Sequence, residues 1–201
     1  IAWECAAAIA AGCAVVIKPS EFASVSTLEY AALTKEAGFP DGVFNVVTGY
    51  GAEAGSALVD HPQVAKITFT GSDLTGAKIY AQAAQSMKRV SLELGGKSPN
   101  IVFADCDLDK AVAGVLAAKF RNAGQTCVCA NRIYVHESIV KPFTEKLVEK
   151  AKELKVGNGL DEGVDIGPLI NASAIEKVQH HVDDAKEKGA IIERGGTNPK
   201  G

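Results

Sequence analysis

Short runs of β-branched and apolar residues alternate along this chain with longer stretches of helical periodicity, and that alternation is what most narrows the folds open to it. A strand, a helix and a second parallel strand make the βαβ unit, so the pattern predicts an α/β architecture of repeated units around a mostly parallel sheet. The expected strands are Ala14 to Ile17, Val43 to Val47, Lys66 to Phe69, Val90 to Leu92, Ile101 to Phe103 and Ile133 to Val135. Between them, Ser26-Thr-Leu-Glu29 has the form of a capping box opening a helix that runs to Gly38, and Asp107 is placed to cap Leu108 to Phe120. Val140, Phe143, Leu147, Ala151 and Leu154 line up as one apolar stripe with lysines and glutamates opposite, the mark of a scaffold helix.

Two glycine-bearing turns carry groups capable of chemistry. Leu92-Glu-Leu-Gly-Gly-Lys-Ser-Pro99 holds a carboxylate at Glu93, and Phe120-Arg-Asn-Ala-Gly-Gln-Thr-Cys127 holds a thiol at Cys127, 34 residues later. A thiolate can attack a carbonyl and depart from a thioester, while a carboxylate can activate the water that hydrolyses it. Each has a plainer reading: Glu93 as a surface acid or strand-end cap before the Gly95-Gly96 turn, and cysteine as a small buried hydrophobe. The second reading is adopted for Cys5, Cys13 and Cys106, which sit in apolar or strand-flanking settings.

Composition removes several function classes. The 201 residues are 47% hydrophobic with 20 glycines, enough for a sizeable core. A net charge of −3 with interspersed lysines and glutamates leaves no basic stripe for nucleic acid, so a small-molecule partner is expected. The apolar run from Cys5 to Ile17 is alanine-rich, broken by Gly12 and lacks a basic leading region, which fits neither a signal peptide nor a membrane span. The 5 cysteines include no C-x-x-C pair and read as reduced thiols, in keeping with a cytoplasmic or organelle-matrix setting. His61, His136, His180 and His181 show no ligand spacing, and Cys127-Val-Cys129 lacks the further ligands of a closed site, so no metal is expected. Asn171-Ala-Ser173 matches a glycosylation acceptor by pattern only and is expected to stay unmodified. The start at Ile1 and the loop-like Gly195-Gly-Thr-Asn-Pro199 before Gly201 read as the ends of a fragment.

A dinucleotide site is usually announced by G-x-G-x-x-G after a strand. Here Gly49-Tyr-Gly-Ala-Glu-Ala-Gly55 is one residue longer than that fingerprint, and Phe69-Thr-Gly-Ser-Asp-Leu-Thr-Gly76 is a second candidate. Taken alone, the first reads equally well as a strand-to-helix turn.

The glutamate and cysteine segments, together with Val16-Ile-Lys-Pro-Ser-Glu21, Gly42-Val-Phe-Asn-Val-Val-Thr-Gly49, Phe69-Thr-Gly-Ser72, Gly157-Asn-Gly-Leu160 and Ile166-Gly-Pro-Leu169, resemble in order the signatures of the aldehyde dehydrogenase superfamily. The resemblance covers nearly the whole chain. It implies part of a Rossmann-like NAD-binding domain over 1–96 and part of a catalytic, nucleophile-cysteine domain over 97–201, truncated at both ends. It also implies that Cys127 adds to an aldehyde, that hydride leaves for NAD, and that Glu93 activates water against the thioester. Gly51, Gly55, Gly71, Ser72 and Leu94 would then contact the dinucleotide, with Lys18 and Glu21 facing the adenosine ribose. A carboxylate at Glu21 accepts hydrogen bonds from ribose hydroxyls and repels a 2′-phosphate, favouring NAD while leaving NADP open. The alternative for Lys18 and Glu21 is a solvated ion pair.

The stretch from Phe120 to Arg132 resembles the succinate-semialdehyde dehydrogenase branch most, where the arginine matching Arg121 binds the substrate's distal carboxylate. The alternative is that Arg121 closes its helix on the last carbonyls. The same resemblance implies a reversible Cys127 to Cys129 bridge under oxidising stress, a homodimer or homotetramer, and an oxyanion-binding asparagine and a nicotinamide-ribose segment that these 201 residues lack, so by themselves they are expected to be inactive. A broad-specificity or betaine-type aldehyde dehydrogenase and a catalytically silent relative are the competing readings.

Overall fold

In the computed structural model residues 2–197 are described; Ile1, Gly201 and the end of the expected Gly195 to Pro199 loop lie outside the described residues. The chain divides into two units, Ile1–Leu94 and Gly95–Gly201. The first contains, in order, α1 (Ala2–Ala10), β1 (Val15–Ile17), α2 (Ser24–Glu36), β2 (Phe44–Val46), α3 (Ser56–Asp60), β3 (Lys66–Thr70), α4 (Asp73–Ala84) and β4 (Arg89–Glu93). β1 pairs parallel with β2, Val15 opposite Phe44, and β3 pairs parallel with β4, from Lys66 opposite Arg89 to Thr70 opposite Glu93. Each pair is joined by a helix, α2 or α4, as parallel strands require a crossover.

The second unit repeats the theme with β5 (Pro99–Val102), α5 (Leu108–Phe120) and β6 (Arg132–Val135), followed by α6 (Val140–Glu153) and α7 (Ala172–Glu187). β5 and β6 are parallel, Pro99 opposite Arg132. All the expected strands form, but as separate two-stranded ladders rather than one hydrogen-bonded sheet among the described residues.

The capping box at Ser26 does not form. α2 begins at Ser24, out of a 3₁₀ turn over Glu21–Ala23, so Ser26 already lies inside the helix. Its Oγ donates to the Ala23 carbonyl at 3.1 Å, and buried Thr27 donates to the same oxygen at 2.8 Å. A hydroxyl bonding back to the preceding turn cannot cap an N-terminus. Helix α2 ends at Glu36, where Gly38 takes a φ of 85° and its N–H reaches the Lys35 carbonyl. Asp107 does cap α5: the Lys110 N–H donates to Oδ1 at 3.1 Å, and that bond is the first cause holding the carboxyl below its ordinary range.

The core of the second unit is Val102, Val112, Val115 and Phe143, with Ile133, Val135 and Leu147 packed against it. Phe143, on the expected stripe of α6, is 1% exposed. Leu154 lies just past the end of that helix in extended backbone. Replacing Phe143 by alanine is expected to cost about 3–5 kcal/mol through lost burial and a residual cavity. Urea unfolding of the intact protein measures this, and a loss below about 1 kcal/mol would remove the ring from the core's centre. Of the cysteines read as buried packers, Cys5 is buried, with its thiol pKa raised chiefly by desolvation, and Cys106 is half-buried against the core. Cys13 is exposed, because it follows a turn at Gly12 with φ 81° that carries it off the helix before β1 begins.

Candidate active site

In the first unit the residues expected around a ribose are brought together. β1 ends at Ile17, and the chain turns so that the Lys18 Nζ lies 3.5 Å from Glu21 Oε1 and 3.1 Å from the Gly49 carbonyl oxygen. The Gly51 N–H, 30 residues further on, donates to the same Glu21 oxygen at 3.2 Å. Strand order explains the meeting: β1 and β2 are parallel neighbours, so the loops leaving their C-terminal ends lie side by side. The Glu21 carboxyl is held below its ordinary range first by a bond from its own backbone N–H, opposed by partial desolvation and assisted by Lys18 and the Gly51 N–H. Glu21 is half exposed, and the Lys18 and Gly51 bonds both fall on its Oε1.

Gly51 and Gly55 bound a wide helical turn, Gly51–Gly55, that leads into α3. A Cβ at Gly51 would meet open space, and one at Gly55 would lie in ordinary contact with the Lys18 side chain at 3.5 Å. Gly71 follows β3 directly, and its N–H donates to the Glu93 carbonyl at 3.0 Å. A Cβ there would collide with Phe69 Cζ, so glycine lets backbone and ring share the space. Ser72 caps α4, accepting from the Thr75 N–H at 3.2 Å. Buried Gly76, one turn into α4, faces Leu94: a Cβ would come within 2.7 Å of Leu94 Cδ2. Gly71, Ser72, Gly76, Glu93 and Leu94 thus gather at the C-terminal end of the β3–β4 ladder. Glu93 is that ladder's last residue and is exposed.

Cys127 lies in the second unit, in the turn that follows α5, and is exposed. Its backbone N–H has no acceptor among the described residues, and the turn is closed instead by the Cys129 N–H on the Thr126 carbonyl at 3.2 Å. Gly96 passes close by, its Cβ direction 3.7 Å from the Cys127 carbonyl oxygen. Upstream, Asn122 and Ala123 have φ of 51° and 55°, and Gly124 has 78°. Such a left-handed run in non-glycine residues is strained and persists only where its surroundings hold it. Arg121 ends α5 exposed, and among the described residues its guanidinium makes no bond to the helix carbonyls.

Cys129 differs from its neighbour. It is 0% exposed, and its thiol donates to the Lys119 carbonyl at 3.0 Å. Bridging to Cys127 would break that bond and turn Cys129 out of its packing. The pattern shared by the two thiols conceals this, because burial is decided by the fold around them.

Two features escaped the sequence. Thr126 Oγ1 is buried without a partner among the described residues. Gln125 bonds across 45 residues to the Ile170 N–H at 3.0 Å. His61, His136, His180 and His181 are all exposed, and among the described residues no group of three histidine, cysteine or acidic side chains is placed to hold a metal. Asn171 serves as the cap of α7, accepting from the Ala174 N–H at 2.9 Å.

The model of the Aldehyde dehydrogenase family matches residues 1–201. The chain is 53% identical over 189 residues to the succinate-semialdehyde dehydrogenase [NADP(+)] GabD of Escherichia coli strain K12, covering 94% of this chain and 39% of that protein. It is 51% identical over 191 residues to the 3-sulfolactaldehyde dehydrogenase of Pseudomonas putida, covering 95% of this chain and 39% of that protein. Among solved structures, betaine aldehyde dehydrogenase from Staphylococcus aureus in complex with NAD+ superposes with a TM-score of 0.94 at 39% identity, over 98% of this chain and 39% of that one. The chain therefore spans about two fifths of the length of the curated relatives it matches.

Proposed function

Because the chain belongs to the aldehyde dehydrogenase family, we propose that the intact protein oxidises an aldehyde to a carboxylic acid through an acyl intermediate on Cys127, resolved by water that Glu93 activates. The observation that carries this reading is the setting of Cys127: an exposed thiol in a turn whose own backbone N–H is uncommitted. The thiolate adds to the carbonyl carbon, and the oxyanion that forms can accept the Cys127 N–H. Loss of hydride from that carbon leaves the acyl thioester. Glu93 then takes a proton from water, the hydroxide adds to the thioester carbonyl, and the carbon–sulfur bond breaks to release acid and thiolate.

The dinucleotide, when bound, supplies the two-electron hydride acceptor. The residues that would hold it are Lys18 and Glu21 at the ribose, Gly51 and Gly55 in the adjacent turn, and Gly71, Ser72 and Leu94 about the start of α4. The fit is supported by the glycine at 71 and by the half-exposed Glu21 carboxylate, a hydrogen-bond acceptor suited to a ribose hydroxyl. That carboxylate favours NAD over NADP, although one relative carries NADP in its name. In this reading 1–96 is the cofactor part and 97–201 the nucleophile part, and the protein works as a homodimer or homotetramer in the cytoplasm or an organelle matrix. No described helix is long and apolar enough to cross a membrane.

A semialdehyde such as succinate semialdehyde is the proposed substrate. The free Arg121 guanidinium, six residues before Cys127, supports it, and so do two relatives whose named substrates carry an anionic group at the far end. The test measures reduction of NAD and of NADP by the intact protein with succinate semialdehyde, acetaldehyde and betaine aldehyde. Arg121→Ala is expected to raise KM for succinate semialdehyde about 10- to 100-fold, the worth of a charge-assisted hydrogen bond, and to leave the other two nearly unchanged. Equal losses on all three would refute the carboxylate role, and a preference for NADP would refute the reading of Glu21.

A further inference from the structure

We propose that Gln125 is the positioning residue of the Cys127 turn, and that through it the loop ending at Ile170 sets where the thiol and its backbone N–H point; this rests on Cys127 being the nucleophile. The turn cannot hold itself. It leaves α5 through Arg121 in extended backbone and then carries Asn122, Ala123 and Gly124 in left-handed conformation, two of them with a Cβ that opposes it. Such a segment relaxes unless something outside it is fixed to it.

Gln125 makes that attachment with both halves of its carboxamide. Nε2 donates to the Asn122 carbonyl at 3.1 Å, which closes the left-handed stretch, and Oε1 accepts the Ile170 N–H at 3.0 Å, which ties it to a distant loop. The backbones reinforce the closure: the Gln125 N–H donates to the same Asn122 oxygen at 3.0 Å, and Asn122 Nδ2 donates to the Gln125 carbonyl at 3.3 Å. The far end is anchored as well. Ile166 bridges Val156, the Gly157 N–H donates to the Ile166 carbonyl at 3.0 Å, and Asn171, next to Ile170, caps α7. Only a side chain that donates and accepts at once satisfies both ends. Glutamate keeps the acceptor alone, and methionine, similar in length, keeps neither. Gln125 touches no reacting atom, so its effect must pass through the geometry two residues on.

The test compares Gln125→Glu and Gln125→Met with the parent in the intact protein. It reads kcat and KM for the aldehyde, the rate of Cys127 alkylation by iodoacetamide against pH, and the unfolding midpoint. Methionine is expected to lower kcat about 10- to 100-fold with KM within about threefold, as a small misplacement of a reacting group does. It should slow alkylation; glutamate should fall between methionine and parent. Unchanged alkylation and kcat in both variants would overturn the proposal, as would a lowered unfolding midpoint with full kcat in the folded protein. Should methionine prevent folding, Ile170→Pro removes the N–H at the far end, with Ile170→Ala as the control for the lost side chain, and only the proline must slow alkylation for the proposal to stand. Cys127→Ser in the same assays separates the two readings: if turnover persists without the thiol, the nucleophile assignment fails, whatever Gln125 does.

Discussion

Cys127→Ser is expected to lower NAD reduction by the intact protein by about 10³-fold or more, the scale on which loss of a nucleophile is felt. The physical reason is the gap in acidity. A thiol is far more acidic than a hydroxyl and attacks as thiolate, whereas a hydroxyl in the same turn would need a base to remove its proton, and among the described residues no side chain is bonded to Cys127 that could serve. Steady-state assays with mass spectrometry of the protein quenched during turnover measure the effect. Retained turnover within about tenfold, or an acyl adduct on a different residue, would end the reading of Cys127.

Glu93→Gln should have a different signature, because it removes the base for the second half of the reaction and leaves the first intact. Acylation would proceed once per site and then stall, giving a burst of reduced dinucleotide followed by turnover slowed about 10²- to 10⁴-fold. The acyl group would be found on Cys127 by its added mass. Glu93 is exposed at the last position of β4, with its backbone already committed to the Gly71 N–H, so the amide replaces the carboxylate without disturbing the ladder. Disappearance of the burst along with the steady state would mean that Glu93 acts before the thioester forms. A retained steady state would return it to the role of a strand-end acid.

The contrast between Ser26 and Asp107 shows where local reading succeeds. Both were read as helix caps from their spacing, and only Asp107 is one. Asp107 stands immediately before a helix with no competing turn. Ser26 follows a 3₁₀ turn that already starts the helix two residues earlier, so its hydroxyl has a carbonyl to donate to instead of an N–H to accept from. The glycines divide in the same way. Gly71 and Gly76 belong to the second dinucleotide-type segment of the sequence, but the neighbours that a Cβ would meet there, the Phe69 ring and the Leu94 side chain, belong to packing.

The alternation of strand and helix patterns, the parallel pairing it demands, and the placing of Cys127 in a turn after a helix were all written in the linear order of residues, because each depends on neighbours within one turn or one strand; Glu93, expected in the glycine-bearing turn, is instead the last residue of β4, because pairing with β3 extends the strand through it. What the order of residues could not contain was which of two thiols, one residue apart, would be buried, that the Gly51 N–H would find Glu21, or that an amide at 125 would hold the Ile170 N–H. Those outcomes join groups 30 and 45 residues apart, and they exist only once the crossovers have brought the loops together. Hydrogen bonds of such span cost chain entropy that local pattern cannot supply, and packing of the folded units supplies it.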